Sequence, residues 1–507
     1  MLKTLFFALS SLFTTIFSLK PALPKAFISI FTPDFFADLE FYLTQIMDDY
    51  NYIEDLLERY EEMIRVGIPV YFDSNEFEDI ADYYGREDPD VALNVVEEGL
   101  KQHPGNQNLL LKKVGALIYN EHYSEAAALM EGLSIDETDW DVLLYKAEIH
   151  LNTGLVESGL GILDMALEQT DDEYTLWEAA YILRSVNLFE DATYYLKKGL
   201  ERFPESLDIR REIAENYRLS GKFEEAIEIY NEILDVDPYS AEDWTDLGEL
   251  YSLNADYEKA IEAFDFSITI DETDEQTVFM KANCLILNGS FEKAIETYHD
   301  YIALNPDDET PYIMIAECYE EMEQDKKAFE YCLKAIEVNP ESVLAFKKMI
   351  YFLMERESFE EALAYVNKAL TLTHTDSNLY FLKADIFTAM ERLSEATDYY
   401  KKALVISENP DEKTDILYSI GILKQKEGKN NDALPFFEEV EKTKSDFYSD
   451  LFIKMAVSYY KTGQYDKCVK YIEKALNESI DDLSEEEIRD RDTVIDELIQ
   501  LLQDTGY

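Results

Sequence analysis

The chain has 507 residues, 107 of them acidic and 45 basic, for a formal net charge of −62. A surface of that sign repels phosphate, which excludes nucleic acid as a partner and disfavours an anionic membrane surface. A length that would ordinarily suggest about three globular domains is governed here by internal repetition, because a repeat array grows by stacking and needs no linkers.

The chain opens on MLKTLFFALSSLFTTIFSLK, in which Lys3 precedes sixteen uncharged residues and Lys20 follows them. Three readings of residues 1–46 stay open: an export signal or anchor, an apolar extension packed on the fold, or a segment upstream of a true start at Met47. The run is shorter than the ~20 residues that a spanning helix wants, and membrane contact is expected only if residues 1–31 act as signal or anchor. Residues 47–72, chiefly Asp48 to Val66, are predicted as an N-terminal capping helix.

From residue 73 to 482 one phrase returns at fixed intervals, as in GKFEEAIEIYNEILDVDP at 221–238 and GSFEKAIETYHDYIALNP at 289–306. Small residues mark twelve units: Ala92, Ala126, Gly159, Ala192, Ala226, Ala260, Ala294, Ala328, Ala362, Ala396, Ala433 and Cys468, most of them 34 residues apart. Twelve residues before these anchors stands a second small residue in most units, Ala180, Ala214, Gly248, Ala282 and Gly421 among them. Four residues after them stand aromatic residues such as Tyr230, Phe264, Tyr298 and Tyr400. Spacings of four and seven share one helix face. Each unit is therefore predicted as two short amphipathic helices that touch where side chains are small and interlock where they are large. Gly221, Gly289 and Gly463 break the first helix, and Pro104, Pro204, Pro238, Pro306 and Pro340 follow the second. Residues 483–507 are predicted as a C-terminal capping helix, with Ser484 and Glu487 as a capping box and Ile488, Ile495, Leu498 and Leu502 facing inward.

This pattern of small, aromatic and proline positions resembles the tetratricopeptide repeat over about four-fifths of the chain. The resemblance implies an all-α fold, a right-handed superhelical solenoid of tandem helix-turn-helix repeats. It also implies a concave groove, lined by the first helix of every unit, that binds proteins. Positions 18, 15, 11 and 8 before each anchor share the face that the resemblance assigns to the groove. Glu148, Glu215, Glu249, Glu317 and Asp385 stand eleven before their anchors, as does Asn283, while Trp177, Phe279, Ile313, Tyr351, Phe381 and Tyr418 put large apolar side chains on the same face. The acidity has two open readings. Carboxylates about 10 Å apart in water repel by only ~0.4 kcal/mol, so a merely solvated face costs little. The alternative is a groove for a protein or peptide that is basic and carries an apolar anchor. In chaperone-binding members of the family, Lys, Asn and Arg on this face clamp a terminal carboxylate. Here only Asn283, Arg211, Arg218 and Lys347 stand among the glutamates, which puts that activity in doubt.

Nothing points to catalysis. The five histidines fall in separate units, without a second His or Cys at ligand spacing, so neither a metal site nor a triad is indicated. Gly428-Lys429 lacks the flanking residues of a phosphate loop. Cys284, Cys318, Cys332 and Cys468 are expected as free thiols, which suits a reducing, cytoplasmic compartment, export or anchoring through the apolar leader being the alternative. The expected function is a non-catalytic interaction scaffold, with no cofactor, metal or small-molecule substrate. An envelope-anchored or exported assembly factor, and a regulatory subunit holding a catalytic partner, are the rivals.

Overall fold

A computed structural model describes residues 52–85, 87–133, 139–169, 172–443, 450–477, 485–504 and 506. The leader and Ser484, with the Glu487 side chain, lie outside the described residues. Those described hold 26 helices and no strand, the all-α repeat architecture that the periodicity predicts. Among them none is long and apolar enough to cross a membrane.

The helices fall into two compact units, ending at Pro238 and beginning at Tyr239. The first holds α1 (52–66) and five pairs: α2 (Ser74–Tyr84) with α3 (Pro89–Gln102), α4 (Gln107–Tyr119) with α5 (Tyr123–Glu131), α6 (Trp140–Asn152) with α7 (Val156–Gln169), α8 (Glu173–Ser185) with α9 (Phe189–Arg202), and α10 (Leu207–Leu219) with α11 (Phe223–Val236). The second holds α12 (Ala241–Leu253), α13 (Tyr257–Ile270), α14 (Glu275–Leu287), α15 (Phe291–Leu304), α16 (Thr310–Glu321), α17 (Asp325–Val338) and α18 (Val343–Glu355). It continues through α19 (Phe359–Leu372), α20 (Ser377–Ala389), α21 (Leu393–Ile406), α22 (Pro410–Lys426), α23 (Asn430–Lys442), α24 (Leu451–Lys461), α25 (Tyr465–Asn477) and α26 (Glu485–Asp504).

Local chemistry explains where these helices begin and end. Most first helices start after a Ser, Asp or Asn whose side chain accepts a backbone N–H of the first turn, as Ser206 does from Ile209 at 3.2 Å and Ser342 from Ala345 at 3.1 Å. They stop in a recurrent left-handed turn. In α18, for example, Glu357 N–H donates to Met354 O at 3.0 Å and Ser358 N–H to Leu353 O at 2.8 Å, the paired bonds of a Schellman motif. Glycine fills the left-handed position at Gly154, Gly221, Gly289, Gly428 and Gly463. Glu121, Asn187, Ala255, Glu323, Glu357 and Glu391 fill it elsewhere with φ of 55–60°.

The anchor positions form the floor of each pair, Ala192, Ala226, Ala260, Ala294, Ala328, Ala362, Ala396 and Cys468 all being fully buried. Close approach is what demands small residues there and twelve before. A Cβ at Gly248 would lie 2.6 Å from Phe264 Cε1, and one at Gly421 2.4 Å from Phe437 Cε1. At the ends, Leu56, Tyr60 and Met63 of α1 pack with Phe72 and Phe77, while Ile495, Leu498 and Leu502 of α26 pack with residues of α23 to α25. An exposed repeat face would otherwise terminate each stack, and these helices cover it.

Candidate functional site

In the first unit the first helices of four successive pairs line a cavity of about 620 Å³. Gly115 makes room for it: a Cβ there would stand 2.7 Å from the Tyr145 hydroxyl, so only glycine lets that ring lie against α4. Around this floor stand Tyr83 and Tyr84 of α2, Tyr119 of α4, Trp140 and Tyr145 of α6, and Tyr174 and Trp177 of α8. Asp139 and Asp172 each accept a first-turn N–H at 3.3 Å, starting α6 and α8 so that Trp140 and Tyr174 sit in their first turns.

The rings form a row. Trp140 meets Tyr174 edge-on at 6.1 Å, Tyr174 stacks offset on Trp177 at 6.1 Å, and Trp177 on Tyr181 at 6.0 Å. Tyr174 and Tyr181 are 52% and 38% exposed, large aromatic area left to solvent. The row is held from behind. Trp177 Nε1–H donates to Glu212, whose other oxygen accepts from Arg184 at 2.6 Å, and the Tyr174 hydroxyl donates to Glu178 at 2.8 Å. A second cavity of about 340 Å³ opens between α8 and α10, against Asp208, Arg211 and Glu212, and Tyr174 and Trp177 stand between the two.

Negative charge surrounds the larger cavity. Asp82, Glu87, Asp141 and Glu178 line it, against Lys112, which pairs with Asp82 at 2.6 Å. The Asp141 carboxyl is held above its ordinary range by burial first, then by the charges of Asp139, Glu178 and Asp82, with Lys112 opposing. Burial likewise pushes the Tyr145 phenol well above its usual value.

Of the residues singled out in the sequence, Trp177 lies in this row. Glu148, only 6% exposed, lines an adjoining cleft with Trp140, Asp141, Tyr174 and Glu178. Glu215 is taken up by Arg218, which grips both its oxygens at 2.6 and 2.7 Å. The second unit treats its candidates differently. Phe279 packs on Tyr298 and Tyr301, Phe381 on Tyr400, and Tyr418 on Phe437 while its hydroxyl donates to Asp450. Asn283 accepts from the Tyr298 hydroxyl at 2.5 Å, and Asp385 accepts from that of Tyr400. Burial lifts the Asp385 carboxyl to about 6, although the bond from Tyr400 opposes the shift. Ile313 is 5% exposed and belongs to the core rather than to a groove surface. For Phe279, Phe381, Tyr418, Asn283 and Asp385 the reason is shared: a side chain fifteen or eleven before the anchor reaches the aromatic residue four after it on the second helix of its own pair. Glu317 pairs with Lys348 at 3.3 Å, Glu249 is half-buried, and Tyr351 remains 42% exposed.

The first-unit row was only partly singled out. Tyr174 and Tyr181 occupy the same 18- and 11-before positions as the groove rule prescribes relative to Ala192, so that rule could have found them beside Trp177. Trp140 and Tyr145 stand off those positions, and only packing brings them in.

Paired antiparallel helices at this period, stacked with small floors and a ring-lined face, define a helical-repeat interaction module. Tetratricopeptide repeat models match residues 186–249, 243–274, 310–342, 377–410 and 449–479. The chain carries tetratricopeptide repeats over these residues. A search among curated proteins finds no significant match. Among solved structures, MamA protein aligns at 25% identity over 33% of this chain and 92% of its own, with a TM-score of 0.30. A tetratricopeptide repeat protein from Parabacteroides merdae aligns at 16% identity over 48% and 95%, with a TM-score of 0.35. YrrB, titled a TPR protein with an unusual peptide-binding site, aligns at 15% over 36% and 95%, with a TM-score of 0.28.

Proposed function

We propose that this protein is a non-catalytic scaffold that holds an extended segment of another protein along the first-helix face of its N-terminal unit. The observation that carries the reading is the row Trp140–Tyr174–Trp177–Tyr181, partly exposed and locked from behind through Glu212, Arg184 and Glu178. Aromatic side chains held rigid at low entropic cost dominate interface hot spots. The acidic residues singled out at Glu215 and Glu317 already have ion-pair partners of their own, so the rings rather than an acidic ladder supply the anchor. The test is selection of binders from a displayed random-peptide library, followed by affinity measurement on the native protein and on Tyr174→Ala and Trp177→Ala. At least a tenfold loss is expected with unchanged helical content. Selected binders that ignore both substitutions would place the site elsewhere.

A further inference from the structure

The α2–α8 cavity has a lining that is unusual for a hydrophobic anchor site. Among the described lining residues its aliphatic members are Ala81, Ala92 and Ala116, with no Leu, Ile, Val, Met or Phe. Rings and carboxylates make up most of the rest. A leucine or phenylalanine anchor would add a desolvation cost at the lining carboxylates and offer them no new bond. A terminal carboxylate would meet three more acids than bases among the described lining residues, with Lys112 already on Asp82. A cation meets neither difficulty, because aromatic faces carry negative quadrupole and attract it.

We infer that this cavity takes the side chain of an arginine from an extended basic segment, its guanidinium lying against the Trp140–Tyr174–Trp177 rings and pairing with Asp141. The inference deepens the groove reading above and rests on it. Arginine is chosen over lysine for three reasons: the guanidinium is planar, it stacks on rings, and it is more weakly hydrated than a compact ammonium ion. The crowding of Asp141 by Asp139, Glu178 and Asp82 is relieved when a positive charge enters. The net charge of −62 further concentrates cations at the surface.

The same net charge would draw any basic peptide weakly, so the experiment separates pocket from field. A dye-labelled Gly/Ser peptide with one central arginine is titrated by fluorescence anisotropy, alongside peptides with lysine or the neutral isostere citrulline at that position. The arginine peptide is expected to bind at least fivefold more tightly than either. Trp140→Leu, which leaves charge untouched, and Asp141→Asn are each expected to cost at least fivefold, helical content being checked by circular dichroism. Glu360→Gln, an equal charge change at an exposed position of α19 in the other unit, is expected to cost nothing. Should Trp140→Leu lose its fold, Trp140→Phe takes its place and is expected to weaken binding in the same direction. Lysine or citrulline binding as well as arginine, or Glu360→Gln matching Asp141→Asn, would overturn the inference. The groove reading would survive that result if library-selected peptides still depended on Tyr174 and Trp177. It fails separately if they do not.

Discussion

Glu323, Glu357 and Glu391 hold the left-handed turn position of three successive repeats at φ of 55°, 56° and 59°, where a Cβ crowds the following carbonyl. The penalty for a non-glycine residue is roughly 1–2 kcal/mol. Glycine removes it but returns about 0.5–1 kcal/mol of extra entropy to the unfolded chain. All three glutamates are exposed, so little packing is lost. Each Glu→Gly replacement should then stabilise by roughly 0.5–1 kcal/mol, and the triple variant by about 2 kcal/mol, since sites this far apart add. Removing three negative charges also lowers self-repulsion, and the triple Glu→Gln variant isolates that part because it keeps a Cβ in the strained turn. The assay is urea unfolding followed by circular dichroism, with hydrogen exchange reporting local opening around each turn. Triple-glycine midpoints no higher than the triple-glutamine ones would refute the strain argument.

Gly248→Ala should destabilise by about 1–3 kcal/mol, because the new Cβ lands 2.6 Å from Phe264 Cε1; Phe264→Leu in the same chain should recover part of the loss in a thermal melt. Asp385 has a folded pKa near 6, above its ordinary value. Its stabilising contribution is therefore complete below the unfolded value of about 3.9 and is lost as pH rises through 6, a swing of up to about 3 kcal/mol. Asp385→Asn should abolish that swing, so the stability difference between variant and native protein should be small at pH 4 and grow towards pH 7; a difference independent of pH would count against the buried carboxylate. All four cysteines are buried and unpaired with one another, so unfolding curves with and without reductant should coincide, and separation of the two would reveal a disulfide.

Periodicity carried the fold because a repeat fold is decided locally. A small residue every 34 positions, an aromatic residue four after it and a turn between them specify two packed helices without any distant contact. Ala226, Ala260 and Ala294 are completely buried for the reason their spacing suggests. The left-handed turn was legible at Gly221, Gly289 and Gly463 but not at Ala255 or Glu357, where the backbone imposes φ above zero on residues whose identity does not announce it.

Which groove residues remain accessible was settled only by tertiary packing. A period places Phe279, Phe381 and Trp177 at one position of the repeat, yet two of them turn their rings onto Tyr298 and Tyr400 of their own pairs. Trp177 instead stacks between Tyr174 and Tyr181 and donates to Glu212 of the next first helix. Helix spacing fixes the direction of a Cα–Cβ bond. The rotamer, and so the surface left for a partner, depends on neighbours: for Phe279 and Phe381 the aromatic residue of their own pair, and for Trp177 also Glu212, 35 residues on in the next repeat. The ring-lined cavity arises the same way, from Gly115 in one pair and Tyr145 in the next, a juxtaposition that exists only once the pairs are stacked.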